Sequence, residues 1–286
     1  MKLILPIVFS LSLALIEPGA AQIVYFNDFS SPDSIQDFTI IGESFVGYKP
    51  PPLHTVTIQN EQLRIETTVS WPHGQGNPPV LIGSALLVRG NSDFGSGFSD
   101  ILSQNTRTIS WTFNVARQNG PFSDVFDFIL GSTIENPSST AAKGYYFKGG
   151  GMVGNRMVLS RFDYGIGGGQ ETVIDIADGL GPFPQMGSFK ITFDPLTHVW
   201  RLFGVMDYAF ENPMLVSTLL GSGVDSTYVN RALPYFGFGG TGTGVAIFDN
   251  VGVTIIPEPS SILLVLAGSA LGTLRIRRKK SVRPNA

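Results

Sequence analysis

Between residues 22 and 256 the chain alternates apolar and polar side chains one by one. In TISWTFNV (108–115), Ile109, Trp111, Phe113 and Val115 fall on one side, and Ser110, Thr112 and Asn114 fall on the other. A period of two is the pleat of a strand with one face in a core. FKITF (189–193), LRIET (63–67), RMVLSRF (156–162), VWRLFGV (199–205) and VAIFDNVGVTII (245–256) carry similar runs, rich in β-branched and aromatic residues. Clusters of turn-forming residues separate them: Pro50-Pro51-Pro52, PHGQGNPP (72–79), GNSDFGSG (90–97), Asn136-Pro137, YGIGGG (164–169) and GFGGTGTG (237–244). FDPLTHVW (193–200) predicts a tight hairpin around Asp194-Pro195. No dozen consecutive residues of this body have the helical period. The pattern predicts an all-β chain folded as a two-sheet antiparallel sandwich over 22–256.

The two ends follow a different pattern. MKLILPIVFSLSLALIEPGAAQ has one Lys, an apolar run from Leu3 to Ile16, a helix-ending Pro18-Gly19 and then small residues. It reads as a secretory signal peptide over 1–21, with cleavage before Gln22. At the other end, Ser260–Leu274 is a 15-residue apolar or small-residue segment. As a helix it spans about 22 Å, less than a bilayer's hydrocarbon core of about 30 Å. A transmembrane helix that short depends on its flanks, and Arg275, Arg277, Arg278, Lys279 and Lys280 supply cations that snorkel and hold the tail inside. Residues 281–286 are then the end of a cytoplasmic tail.

Composition and charge narrow the function. Charged residues make up only 14% of the chain, and Cys is absent, which excludes disulfides and Cys-ligated zinc or iron–sulfur sites. Between Gln22 and Ile256 stand 12 Lys+Arg and 20 Asp+Glu, a net charge of −8. An acidic body lacks the basic face that nucleic acid requires. The predicted localisation is export across the inner membrane, transient anchoring through 260–274, then the cell surface or the extracellular space.

Two resemblances sharpen these expectations. Pro257-Glu258-Pro259, then the apolar segment, then Arg275–Lys280 resembles the PEP-CTERM sorting signal of exported bacterial proteins, and covers 257–280. It implies two partners, the general secretion machinery and an exosortase that cuts near the tripeptide. Two prolines suit that role, because they cannot continue a helix and leave an extended stretch at the membrane edge. Within the body, VYFNDFSS, TIQNEQLRIE and the final AIFDNVGVT resemble the opening and closing strands of concanavalin-A-like or laminin-G-like jelly rolls. That resemblance implies a jelly-roll sandwich whose first and last strands lie side by side. It also implies a structural calcium between those strands, with Asp28 and Asp249 at the matching positions. Ca²⁺ takes six to eight oxygens, so backbone carbonyls and water would complete the set.

Catalytic constellations are sparse. Glycoside hydrolases on this fold carry Glu-x-Asp-x-x-Glu, because hydrolysis needs two carboxylates at one bond. The nearest stretch, SDVFDFIL (123–130), has Asp124 and Asp127 on opposite faces of a strand and no Glu. His54, His73 and His198 are scattered, and no Gly-x-Ser-x-Gly elbow exists. Two Gly-x-Gly-x-x-Gly matches, at 149–154 and 237–242, precede strand-like sequence and are read as loops. Trp71, in a loop-like stretch with His73 and Asn77, is the candidate platform for a sugar; Trp111 and Trp200 are read as core. The sequence therefore predicts a non-catalytic surface or matrix protein whose body binds extracellular polysaccharide. The alternatives are a polysaccharide-acting enzyme with an unfamiliar site and a purely structural surface protein.

Overall fold

The computed structural model describes residues 22–42, 54–67, 69–70, 81–90, 108–118, 125–150, 156–166, 168–176, 186–228, 231–242 and 244–256. The segment 1–21 read as a signal peptide, Pro257, Glu258, Pro259 and the apolar segment after them lie outside the described residues. The sandwich Gln22–Ile256 is a compact unit in itself.

Its strands in chain order are β1 (Gln22–Asn27), β2 (Thr39–Gly42), β3 (His54–Gln59), β4 (Gln62–Thr67), β5 (Val69–Ser70), β6 (Leu81–Gly90), β7 (Thr108–Gln118) and β8 (Val125–Ser132). They continue as β9 (Gly144–Gly150), β10 (Met157–Phe162), β11 (Glu171–Ile176), β12 (Met186–Asp194), β13 (Val199–Asp207), β14 (Leu219–Val224), β15 (Tyr235–Gly242) and β16 (Gly244–Ile256). The helical element among the described residues is one 3-10 turn, Pro32–Ile35. All pairings are antiparallel. The first sheet runs β14-β13-β12-β7-β16-β4-β3, and the second runs β11-β10-β9-β8-β15-β6-β2. This is the all-β, two-sheet jelly roll that the alternation and the resemblance predict.

The long final strand organises the first sheet. β16 pairs with β7 along one side, and on its other side with β4 over Gly244–Phe248 and then with β1 over Val251–Ile255. First and last strands are therefore neighbours, with Gln22 opposite Ile255. A bulge between Asp249 and Gly252, with Asn250 at φ 50°, separates the two halves of β16.

Aromatic rings fill the space between the sheets. Trp111 on β7 stacks on Trp200 of β13 at 5.7 Å, and both are buried as the sequence predicts. Across the sandwich, Phe113 lies on Phe128 at 4.1 Å between centroids and 13° between planes. Phe128 continues to Phe238 at 6.0 Å, and Phe238 to Phe248 at 5.0 Å. Offset and tilted contacts of this kind add to the burial of the rings themselves.

Two features depart from the sequence pattern. GFGGTGTG, read as a turn, is mostly β15, a central strand between β8 and β6. Its glycines reflect crowding: a Cβ on Gly239 would stand 2.2 Å from the carbonyl oxygen of Ala85 on β6. The Gly-x-Gly-x-x-Gly match at 237–242 is thus part of a strand, and the other begins inside β9. The second departure concerns Ser110, Thr112 and Asn114, whose alternation predicts a solvent-facing side of β7. All three are buried. The connection between β13 and β14 folds back over the same outer face at β12. There Ser188 Oγ accepts from Glu211 N at 2.9 Å, and Lys190 Nζ donates to the Met214 carbonyl at 3.4 Å.

Candidate functional site

Of the residues singled out in sequence, Asp28 and Asp249 come together. Asp28 follows β1 and is exposed; its Oδ1 accepts from Ser30 N at 3.1 Å, and that bond holds its carboxyl below the usual range. Asp249 sits at the bulge of β16, half-buried, opposite Asn114 in register. Burial pushes its carboxyl up to about 6, and the nearby charges of Asp28 and Glu61 push the same way. Glu61 is a neighbour that the sequence does not reveal, because it sits in the β3–β4 turn, at φ 59°. Three carboxylates thus share one rim of the first sheet, an arrangement that a cation would relieve. Among the described residues, no three His, Cys, Asp or Glu converge closely enough to hold a metal. Oxygens beyond these side chains would have to complete a calcium shell.

The raised Asp249 carboxyl has a measurable consequence. Its folded-state value lies above the ordinary 3.8, so the folded chain holds this proton more tightly than the unfolded chain does. Its contribution to stability rises as pH falls from above 6 toward 4, and levels off below. Urea denaturation in EDTA at a series of pH values is expected to show that slope in wild type and to lose it in Asp249→Asn. Identical slopes in the two proteins would show that Asp249 is not held up.

On the second sheet, Asp127 is a buried residue of β8, facing Lys148 and Gly239 in register. Among the described residues of β8, Asp127 is the one acid. Asp124 lies outside the described residues, as do Trp71, His73 and Asn77. His54 is on β3, and His198 is in the β12–β13 turn at φ 56°, where Asp194 Oδ2 accepts from Thr197 Oγ1 at 2.6 Å and its Oδ1 from Leu196 N at 3.0 Å.

The densest polar cluster is one that sequence reasoning misses. It lies around Asp225, just after β14. Asp225 Oδ1 accepts from Tyr145 Oη at 2.5 Å and Thr227 N at 2.9 Å, and Oδ2 accepts from Arg161 Nη1 at 2.8 Å. The Asp225 carbonyl accepts from Trp200 Nε1 at 3.3 Å. Arg161 also pairs with Glu171 and with Asp163, the latter at 3.5 Å. Asp163 in turn accepts from Tyr228 Oη. Burial raises the Tyr145 hydroxyl well above its ordinary value, and the Asp225 charge adds to this, so it stays a neutral donor. Trp200 belongs to the first sheet and Tyr145 to the second, so the cluster clamps the two sheets together.

Beside this clamp, the β10–β11 connection is zipped onto the β8–β9 connection. Gly165 N donates to the Ala142 carbonyl and Ile166 N to the Pro137 carbonyl, both at 2.9 Å. Ile166 packs into small apolar clusters on the outer face of the second sheet, one with Leu86, Val88 and Ile129 and one with Ala142, Tyr146 and Phe162. Between the anchored Asp163 and Gly165, Tyr164 points outward with 65% of its surface exposed.

No family model and no curated protein matches the chain. Among solved structures, the chain is similar to the lectin from Bauhinia forficata in complex with GalNAc, at 11% identity over 81% of this chain and 96% of that one, with a TM-score of 0.45. It is similar also to a prokaryotic β-1,3-1,4-glucanase (lichenase) from a mouse hindgut metagenome, at 8% identity over 82% and 98%, with a TM-score of 0.43. A third is the binding domain of botulinum neurotoxin serotype D/C, at 9% identity, 83% of this chain and a TM-score of 0.43; the chain spans about half of its length, 49%.

Proposed function

We propose that the chain is an exported bacterial surface protein that is trimmed at both ends, and that its sandwich is a non-catalytic module for extracellular polysaccharide. One observation supports the trimming most directly. The folded unit runs from Gln22 to Ile256, and these limits meet in a single ladder, with Gln22 opposite Ile255. Cleavage before Gln22 and near Pro257-Glu258-Pro259 therefore removes no described strand and no described core residue. An exosortase and the general secretion machinery are the partners of this step, and the membrane holds the precursor through 260–274 until cleavage. Replacing Glu258 by Ala is expected to leave the precursor in the membrane fraction, whereas wild type is released or displayed without residues 262–286. A wild-type product that keeps those residues by mass spectrometry refutes the sorting reading.

The absence of a second acid along β8 near Asp127 supports a binding role over hydrolysis. Fragment 22–256 on a glycan array tests binding, and release of reducing sugar from the same polysaccharides would restore the enzyme alternative.

A calcium ion between Asp28 and Asp249 is the second element of the proposal, favoured by the mutual repulsion of Asp28, Glu61 and Asp249 at that rim. About 1 mM CaCl₂, in the range of weak extracellular calcium modules, is expected to raise the melting temperature of EDTA-treated wild type and leave Asp249→Asn unchanged. An unchanged wild-type melting temperature removes the ion.

A further inference from the structure

We infer that Tyr164 is the stacking platform of a polysaccharide site, and that its ligand is an uncharged pyranose; this rests on the module reading above. Four observations converge on it. Tyr164 is 65% exposed in a segment that is otherwise pinned, since Asp163 is held by Arg161 and Tyr228, and Gly165 by Ala142. An aromatic ring that is already fixed loses little conformational freedom when a sugar covers it.

The ring is also supported from behind. Gly169 has φ 57°, and a Cβ there would stand 2.6 Å from Cδ2 of Tyr164. The absent side chain lets the ring settle against the backbone, leaving its other face to solvent. Hydrogen-bonding groups flank it. Gln170 follows Gly169 and accepts from Lys148 Nζ at 3.3 Å. Exposed Asn136 opens the turn whose Ser138 and Ser139 carbonyls abut Gly165. An exposed ring face with the Gln170 amide next in sequence to the glycine that backs it suits the apolar face and equatorial hydroxyls of a pyranose.

Charge selects among sugars. Asp163, next to Tyr164, and Glu171, two residues after Gly169, are both paired with Arg161, and the body as a whole carries −8. Lys148 donates to Gln170, and Asp127 lies opposite Lys148 in register on the same face. Polyanionic glycans such as uronates are repelled, and uncharged ones are not.

The experiment uses fragment 22–256, which holds every described strand and core cluster. Calorimetry with cellohexaose, laminarihexaose, mannohexaose and polygalacturonate compares wild type with Tyr164→Ala, Tyr164→Phe and Gly169→Ala. Wild type is expected to bind at least one neutral hexasaccharide and not polygalacturonate. Tyr164→Ala and Gly169→Ala are expected to weaken binding about tenfold or more, and Tyr164→Phe to keep it within a few-fold. Unchanged melting of Tyr164→Ala separates loss of the platform from loss of the fold. Neutral-sugar binding that is indifferent to Tyr164→Ala overturns the site and leaves the module reading standing. Binding of polygalacturonate alone overturns the ligand class. If none of the four binds, the site fails. The module reading fails with it only if the glycan array is blank as well.

Discussion

Asp225→Ala is expected to lower the stability of the sandwich by about 3 kcal/mol, at the low end of what removing one partner of a buried ion pair costs. Arg161 would keep Asp163 and Glu171, which limits the loss, but Tyr145 would not be compensated. Its hydroxyl is fully enclosed and donates to Asp225 at 2.5 Å. It would keep the bond it accepts from Tyr228 N at 3.2 Å, but its own O–H would lose its acceptor, and a buried donor left unpaired costs about 1–3 kcal/mol. The backbone of the segment would lose the bond from Thr227 N as well. Asp225→Asn keeps the size and an acceptor, so it is expected to lose about half as much. Urea unfolding of fragment 22–256 reads both variants. A loss below about 1 kcal/mol for Asp225→Ala would mean that the segment is held by something else.

Phe113→Ala is expected to cost about 4 kcal/mol, within the usual range for emptying a buried aromatic site. Phe113 has no exposed surface and meets rings from three other strands: its stack on Phe128 crosses the sandwich, and Phe147 and Phe189 approach within 5.9 and 5.6 Å. The cavity would lie between two sheets that are each tied by backbone ladders, so collapse around it is limited. Phe26→Ala is the matched control. Phe26 is 48% exposed, and its loss should stay near 0.5 kcal/mol. Equal losses for the two substitutions would place the core elsewhere.

The sandwich was largely legible in sequence because a pleat writes itself as alternation. Ile109, Trp111, Phe113 and Val115 are buried on one side of β7, and Asp194-Pro195 does form the β12–β13 turn. The adjacency of β1 and β16 followed from resemblance. What was illegible depended on partners far away in the chain. β15 was hidden because glycine is also what a turn uses, and only the approach of Ala85 explains it. The buried Ser110, Thr112 and Asn114 could not be anticipated, since alternation says which residues share a face and not whether a later segment covers that face. Asp225 meets Tyr145 across 80 residues, with no local spacing to betray it. Tyr164 was visible within YGIGGG as one aromatic among glycines, but its exposure depends on Ala142 and Pro137 holding the loop down. Asp28 and Asp249 were named from the resemblance as positions for an ion, and the charge of Glu61 beside Asp249 carried no signal in sequence.

The place of β16 in the ladder fixes a timetable. β7, β4 and β1 have no common neighbour except this strand, and it is the final stretch of the body to be synthesised. The β7-β12-β13-β14 part and the β3-β4 hairpin can pair earlier, but they join each other and β1 only once β16 is made. If the chain is exported as proposed, this late joining would favour passage through a narrow channel in extended form.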